Sequence, residues 1–467
     1  MSSLQKSLMK DKLPPIPHGG SSAIGGGLKR LPGRRRDYSP IPWSRYFDDK
    51  KDVQVNGNTF RVYIKKSKVA EDDMPPSSDP VPVLVLLHGG GFSALTWALF
   101  AESITNQVMC QVIAIDLRGH GDTNTTDDLN LSADTLSSDV IGVIDTLLFE
   151  DGQTESQPII LIGHSMGGAV AVHTATKIVE TGPGNLGDMG YEDVDVENTA
   201  IEKKPTTETL ARVTLNLCGV AVIDVVEGTA MDALAGMQSL LRSRPQKFPS
   251  LPNAIDVRSG QVRNVESARV SMPGQIKNIS TGATATNDID ELLSECNKRG
   301  SSSTDLVTSG LGIAESRRND SISEEEEEIE DGEKSQDVFK KPLQNFNAAS
   351  SNSGYAWRID LAKTESFWPG WFKGLSSAFL ILPMPKLLLL AGIDRLDKAL
   401  TVGQMQGKFQ MQVLPKCGHA VHEDVPDKVS DVVATFLVRH KFATPTANFN
   451  RSVVMAPTPN WSELINH

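Results

Sequence analysis

A serine between two glycines, placed at the end of an apolar run, most constrains how this chain can fold. The run Gly-His-Ser-Met-Gly fits the pattern G-x-S-x-G, with Ser165 at a sharp turn from a strand into a helix. Small residues are needed on both sides of such a turn because the backbone must bend without a clash, and Gly163 and Gly167 meet that need. Residues 158–162 predict the strand and residues 169–178 predict the helix. The sequence therefore predicts an exposed, nucleophilic Ser165.

Apolar runs alternate with helical patterns along the rest of the chain. The first four runs are apolar throughout, which predicts strands that are covered on both faces, as in a parallel sheet. An amphipathic pattern over residues 426–440 predicts a final helix. We expect an α/β fold with a mostly parallel central sheet, helices on both faces and a lid inserted after the sixth strand. The runs are residues 83–87, 112–115, 159–162, 217–223, 386–391 and 409–414.

Composition separates a folded domain, residues 37–442, from two ends. Residues 1–36 are rich in Pro, Gly, Ser and basic residues, and they predict a disordered basic arm. Its basic cluster fits a solvated tail, a nuclear-import signal or an anchor for an acidic partner. Residues 443–467 form a C-terminal tail.

Two insertions interrupt the folded domain. Residues 182–209 predict an inserted loop, and residues 225–384 form a lid region between the fourth and fifth of the apolar runs. Within the lid region, residues 278–353 are rich in Ser, Asn, Gly and Asp and include a run of glutamates. Such a segment buries too little apolar area to offset the entropy of ordering it. We therefore expect a disordered acidic insertion over 278–353.

Charge and cysteine content narrow the function classes. A net charge of −12 disfavours non-specific binding to nucleic acid. We expect neither a membrane span nor a signal peptide, because no apolar stretch approaches about 18 residues and the start lacks an apolar core. The 4 cysteines in 467 residues do not suggest a disulfide framework. A cytoplasmic or nuclear setting follows as the expectation.

A seryl nucleophile needs a base, and the sequence offers two histidines. The order Ser, acid, His is the order expected of α/β-hydrolases. His419 follows the last apolar run and precedes the final helix, which predicts a loop position at the carboxyl edge of the sheet. His422 is the rival, three residues later. A metal site at 419–424 is disfavoured because the spacing matches neither H-E-x-x-H nor H-x-x-E-H.

The oxyanion hole has a direct candidate in the glycine run after the first parallel strand. Glycines there let backbone N–H groups approach a developing negative charge. We predict the amide of Met166 together with that of Gly90 or Gly91.

The acid that orients the histidine is ambiguous. Asp224 and Asp394 both follow apolar runs, on the side of the sheet where active-site loops gather. The more frequent placement in hydrolases favours Asp394.

Several longer motifs resemble the protein phosphatase methylesterase family. The resemblance covers nearly all of residues 37–442 apart from the two insertions, and several motifs are peculiar to that family. They are Tyr-Ser-Pro-Ile-Pro-Trp at 38–43, Phe-Arg-Val-Tyr at 60–63, His-Gly-Gly-Gly at 88–91, Gly-His-Ser-Met-Gly-Gly at 163–168, Ile-Asp-Val-Val-Glu-Gly-Thr-Ala-Met-Asp at 223–232, Gln-Val-Arg-Asn-Val-Glu-Ser-Ala-Arg-Val at 261–270, Trp-Arg-Ile-Asp-Leu-Ala-Lys-Thr-Glu at 357–365 and Gly-Gln-Met-Gln-Gly-Lys-Phe-Gln-Met-Gln at 403–412.

The resemblance implies an α/β-hydrolase fold and a carboxylesterase without metal or organic cofactor. The implied substrate and partner is the catalytic subunit of type 2A serine/threonine phosphatases, whose C-terminal leucine methyl ester would be demethylated. The implied triad is Ser165, Asp224 and His419, so the resemblance reverses the preference for Asp394. The alternatives are a generic small-molecule esterase and an inhibitory scaffold that binds the phosphatase.

The aromatic segment 357–375 suggests how a peptide could be recognised. The run Phe-Trp-Pro-Gly-Trp-Phe at 367–372 is unusually aromatic for a surface loop. Packing between lid and sheet explains it equally well. We expect that this segment and residues 225–229 form a cleft for an extended peptide end.

Overall fold

The computed structural model describes residues 36–67, 81–150, 157–181, 215–298, 354–392 and 396–454. Four features of the sequence analysis fall on other residues. They are the basic arm up to residue 35, the inserted loop 182–209, most of the acidic insertion (299–353) and Asp394, all of which lie outside the described residues.

The core of the fold is an eight-stranded sheet with the order β1-β2-β4-β3-β5-β6-β10-β11. The pairs β1·β2 and β2·β4 are antiparallel, and the other neighbours in the sheet are parallel. This confirms the predicted mostly parallel sheet. In chain order, the strands are β1 (Asp49–Val55), β2 (Asn58–Lys66), β3 (Val83–Leu87), β4 (Gln111–Ile115), β5 (Ile159–His164), β6 (Leu217–Ile223), β7 (Lys247–Phe248), β8 (Ile276–Asn278), β9 (Tyr355–Trp357), β10 (Lys386–Leu390) and β11 (Gln410–Val413).

Helices cover both faces of this sheet, as its buried central strands require. The α-helices are α1 (Ala98–Gln107), α2 (Ala133–Glu150), α3 (Met166–Thr181), α4 (Glu227–Ser243), α5 (Leu251–Ser259), α6 (Val265–Ser271), α7 (Ala285–Lys298), α8 (Trp368–Phe372), α9 (Leu375–Ile381), α10 (Lys398–Met405), α11 (Val421–Asp424), α12 (Pro426–Arg439) and α13 (Arg451–Val454). Helices α2 and α3 pack on one face, and α1 and α12 pack on the other. Every residue of β3 and β10 is buried. None of the described helices combines the length and the apolar character that crossing a bilayer requires.

The lid region follows β6, the sixth strand, as predicted, and it contains a small sheet of its own. Strands β7, β9 and β8 pair antiparallel in that order. Helix α7 packs on this sheet, with Ala285 and Ile289 buried in a cluster with Phe248 and Ile276. The prediction of disorder from residue 278 is therefore wrong for residues 278–298, because Ala285, Ile289 and Leu293 of α7 lie on one face and pack on the small sheet.

The C-terminal tail also begins in packed structure. The Met109 N–H donates to the Thr444 carbonyl at 2.8 Å, and the Thr446 N–H donates to the Gln107 carbonyl at 2.9 Å. Residues 444–446 therefore lie against the end of α1. The boundary predicted at 443 does not coincide with the end of the packed chain.

Three rings of the aromatic run 367–372 belong to the core and do not line the expected cleft, whereas Trp357 of the same segment lines a cavity of the lid region. Trp368, Trp371 and Phe372 are at most 4% exposed and belong to the cluster on the α2/α3 face. Both indoles are satisfied internally, since Trp371 Nε1 donates to the Leu131 carbonyl at 2.6 Å and Trp368 Nε1 donates to Thr364 Oγ1 at 3.0 Å. On the other expected side of the cleft, residues 225–229 contact the lid, because the Glu227 carboxylate accepts backbone N–H groups of residues 374 and 376.

Candidate active site

Parallel register brings the predicted site residues to one edge of the sheet. Leu87 of β3 lies opposite Gly163 of β5, and His164 of β5 lies opposite Ile223 of β6. Ile223 in turn lies opposite Leu389 of β10. The residues that follow these positions are the glycine run, Ser165, Asp224 and the β10 loop, and all of them emerge at the carboxyl edge, where α/β sheets bind ligands.

Ser165 stands in the turn that its flanking glycines make possible. Its φ is 54°, in the left-handed region that non-glycine residues rarely adopt. A Cβ on Gly163 would collide with the backbone of Gly167, and a Cβ on Gly167 would collide with the Leu87 carbonyl. The strand, the turn and the helix α3 therefore fit together only with glycine at both positions. Ser165 itself is partly exposed.

Asp224 and His419 form the hydrogen bond expected of an acid and the base it orients. The distance from Asp224 Oδ2 to His419 Nδ1 is 2.8 Å. The Asp224 side chain is 0% exposed and the His419 side chain is 54% exposed, so the ring presents its free edge to a ligand. Asp224 Oδ1 accepts the Ala391 N–H at 3.0 Å, which fixes the carboxylate plane. The residue has a φ of 53°, a second strained position at this edge.

The loop that carries His419 is held next to the nucleophile turn. His164 Nε2 donates to the His419 carbonyl at 2.8 Å, and the two rings lie 4.8 Å apart between centroids. His164 directly precedes Ser165, so His419 lies beside the turn. Ser165 Oγ and His419 Nε2 have no hydrogen-bond partner within the described chain. Such catalytic contacts are commonly loose without substrate.

Of the three amides predicted for the oxyanion hole, one already donates a hydrogen bond within the protein. The Gly91 N–H donates to His120 Nε2 at 2.9 Å and is therefore already used. No acceptor for the amides of Gly90 or Met166 is found among the described residues. The two residues are close, since a Cβ on Gly90 would lie 3.6 Å from Met166 Sδ. The geometry leaves Met166 and Gly90 as the candidate donors.

A pair of buried histidines supports the glycine run, and sequence reasoning missed it. His88 Nε2 accepts the Leu117 N–H at 3.0 Å, and His120 Nε2 accepts the Gly91 N–H. Each ring must therefore carry its proton on Nδ1, which lies 2.8 Å from a backbone carbonyl in both cases. Burial lowers the pKa of His88 well below its usual value and that of His120 to about 4. Both rings are neutral at physiological pH. The signal was present in the sequence, because His88 precedes the glycines and His120 lies between two glycines.

His422, the rival base, is not placed for that role. It is 0% exposed, and neither ring nitrogen has a hydrogen-bond partner within the described structure. Burial lowers its pKa well below the usual value, and the nearby Arg258 adds to this. His422 packs between the Trp97 and His164 rings. In the described part of the chain, no group of three or more His, Cys, Asp or Glu residues could hold a metal ion.

Comparison with known proteins identifies the family to which the chain belongs. The family model described as "Alpha/beta hydrolase family" matches residues 84–272 and 311–432. Protein phosphatase methylesterase 1 of Bos taurus is 46% identical over 458 residues, which cover 96% of this chain and 100% of that protein. The Homo sapiens protein of the same name is 46% identical over 460 residues, with coverage of 96% and 98%. A probable protein phosphatase methylesterase 1 of Caenorhabditis elegans is 35% identical, with coverage of 95% and 86%. The chain belongs to the alpha/beta hydrolase family and, within it, to the protein phosphatase methylesterases.

Proposed function

We propose that this protein is a serine carboxylesterase that removes the methyl group from the C-terminal leucine methyl ester of the catalytic subunit of type 2A protein phosphatases. The family resemblance supplies the substrate. The observation that carries the chemistry is the 2.8 Å hydrogen bond from His419 Nδ1 to the buried Asp224 carboxylate, at the sheet edge that also bears Ser165.

In the first half of the reaction, Ser165 is the nucleophile. Its Oγ attacks the ester carbonyl carbon while His419 Nε2 takes the hydroxyl proton. Asp224 keeps the other ring nitrogen protonated and stabilises the imidazolium. The tetrahedral intermediate then collapses: the bond from carbon to methoxy oxygen breaks, and methanol leaves with the proton from His419.

In the second half, water hydrolyses the acyl-enzyme. His419 takes a proton from the water as its oxygen attacks, and returns it to Ser165 Oγ when the acyl bond breaks. The products are the restored serine and a leucine carboxylate. The amides of Met166 and Gly90 serve as donors to the oxyanion in both halves, since they are the two without an internal acceptor. No cofactor takes part in this scheme.

The decisive experiment is incubation with the methylated phosphatase catalytic subunit. We expect release of one methanol per subunit, and no release by the Ser165→Ala variant. A protein that cleaves a small ester but leaves the methylated subunit intact would instead be a generic esterase. A protein that binds the subunit and releases no methanol would be an inhibitory scaffold.

We further propose that the protein works in a reducing compartment, the cytoplasm or the nucleus. Among the described residues, Cys110 and Cys218 are free thiols, and Cys110 is buried. Imaging of a fluorescent fusion, with and without residues 29–36, tests the compartment and the role of the basic cluster.

A further inference from the structure

A cavity of about 430 Å³ lies in the lid region, between the end of α4 and residues 355–362. Its volume falls in the range of small-ligand sites. Two of the residues that line it are arginines, Arg242 and Arg244, and a third is Trp357. The cavity is distinct from the Ser165 turn, and the mechanism above does not use it.

Arg244 is a charged side chain without an ionic partner in the described structure. Its guanidinium lies over the Trp357 ring, with Cζ 4.3 Å from the ring centroid. Its Nε is buried and has no hydrogen-bond partner within the described residues. Burial lowers the pKa of Arg244, the nearby Asp360 carboxylate partly offsets this, and the charge of Arg258 adds to the lowering. Arginine nevertheless remains protonated at physiological pH.

Among the described residues, the acid that lines the cavity is Asp360, which acts on the charge of Arg244 but also has contacts of its own. Asp360 Oδ1 accepts the Ala362 N–H at 3.3 Å, where it caps a short 3-10 helix, and Oδ2 lies 3.8 Å from Lys363 Nζ. Trp357 is also fixed, because its Nε1 donates to the Pro245 carbonyl at 2.8 Å. The stacked pair of Arg244 and Trp357 is thus held in place, while the Nε–H of Arg244 still lacks an acceptor among the described residues. A partly desolvated cation with an unused donor is stabilised most by an anionic ligand.

This pair lies next to the oxyanion loop. Arg244 Nη1 is 3.8 Å from the position of a Cβ on Gly91, and Leu361 Cδ1 is 2.9 Å from the same position. The guanidinium therefore lies close to the glycine run beside Ser165. An extended peptide advances about 3.3 Å per residue. A group bound by Arg244 would belong to one of the few residues that precede the residue bound at Ser165.

We infer that the cavity is a subsite for an acidic side chain of the substrate peptide, bound by the Arg244 guanidinium as it stacks on Trp357. This inference rests on the proposed esterase function. The carboxylate would accept two hydrogen bonds from the planar fork of Arg244, an arrangement that lysine cannot reproduce. Arg242, exposed at the mouth, adds positive potential.

The test is a double-mutant cycle between enzyme and peptide. The substrates are peptides that end in leucine methyl ester and carry one glutamate at one to four residues before the leucine, each paired with its glutamine analogue. The enzymes are the wild type, Arg244→Gln and Arg244→Lys. Arg439→Gln is the matched control, because Arg439 is an exposed arginine at the end of α12, remote from the cavity. A small activated ester measures basal activity.

We expect the wild type to favour glutamate over glutamine at one position by about 10-fold to 100-fold in kcat/KM. Arg244→Gln should abolish that preference, Arg244→Lys should retain only part of it, and the control should retain all of it. Hydrolysis of the small ester should be unchanged in all variants. Equal kcat/KM for every glutamate and glutamine pair with the wild type would overturn the subsite, and that result does not depend on how any variant folds.

A binding measurement separates this inference from the proposed function. The Ser165→Ala variant cannot turn over, so calorimetry with the same peptides reports recognition alone. Tighter binding of one glutamate peptide, lost on the further change Arg244→Gln, supports the subsite even if no peptide is hydrolysed. If the wild type hydrolyses the small ester and the peptides but binds both kinds of peptide equally, the subsite fails and the esterase function stands.

Discussion

His120 Nε2 accepts the backbone N–H of Gly91 at 2.9 Å, so this amide of the glycine run is already used within the protein. Gly91 has a φ of 77°, and its N–H donates to the neutral imidazole. The ring can accept this hydrogen bond only while Nε2 is unprotonated. Protonation of His120 would break the contact and place a charge in a buried site.

Acid should therefore weaken the fold through this residue. The pKa of His120 is about 4 in the folded protein, against a usual value near 6.5. Above pH 6.5 both states are neutral and the full stability is present. As the pH falls from 6.5 towards 4, the unfolded chain binds a proton that the folded chain does not, which costs about 3 kcal/mol in total. His88, His164 and His422 act in the same direction, because burial lowers their pKa values too.

The variant His120→Gln tests this directly. Its amide oxygen can still accept the Gly91 N–H, but it cannot titrate. In urea unfolding between pH 4 and 7, the free energy of unfolding of this variant should depend less steeply on pH than that of the wild type. The difference in slope should correspond to at most one bound proton. An unaltered slope in His120→Gln would mean that the folded protein and the unfolded chain bind the His120 proton over the same pH range.

Ser165→Ala should abolish ester hydrolysis and labelling by a fluorophosphonate, because only the nucleophilic oxygen is removed. Alanine has a Cβ, as serine does, so it should occupy this left-handed backbone position equally well. The circular dichroism spectrum and the thermal midpoint should therefore remain close to those of the wild type. Persistent labelling of this variant would assign the reactive nucleophile to another residue.

Asp224→Asn should lower kcat by orders of magnitude. Its amide nitrogen would face His419 Nδ1 and favour the wrong ring tautomer, a change that can cost about 10⁴ in rate. Asp394→Asn is the comparison, since Asp394 also follows an apolar run, and we expect a much smaller effect. Pre-steady-state kinetics of the two purified proteins with a small ester checks the ranking. A larger loss in Asp394→Asn would transfer the role of the acid.

The parts of the fold that the sequence predicted well are those with a local signal. Strands β3 and β6 coincide with the apolar runs at 83–87 and 217–223, because burial on both faces requires an unbroken apolar stretch. The turn at Ser165 has an equally local sequence signal, since the positions of Gly163 and Gly167 leave no room for the side chain of any other residue.

Features that depend on distant contacts could not be predicted. The small lid sheet pairs β7 with β9 although more than 100 residues separate Phe248 from Tyr355, and its strands have only 2 or 3 residues. The acid was ambiguous for a similar reason. Strands β6 and β10 are neighbours, so either strand could end beside His419, and only the packed loops distinguish them. The support of Gly91 by His120 requires two loops whose proximity no periodicity reveals.

The final prediction concerns the part of the acidic insertion that is folded. Helix α7 buries Ile289, and its surroundings are tied to the main domain, since Asn287 Nδ2 and Thr284 Oγ1 donate to Asp122 and Trp43 Nε1 donates to Asp290. Removal of residues 280–352 should therefore lower the thermal midpoint by roughly 5 °C or more, because one buried isoleucine alone contributes about 2 kcal/mol.

Removal of residues 300–352 is the matched control. It spares α7, and the polar composition of the deleted segment predicts little contribution to a core. We expect its thermal midpoint and its activity on a small ester to stay within error of the wild type. Differential scanning fluorimetry of the two deletions checks the contrast. If both deletions leave the midpoint unchanged, α7 contributes no stability despite its buried face. If both lower it equally, the residues beyond 300 pack against the domain as well.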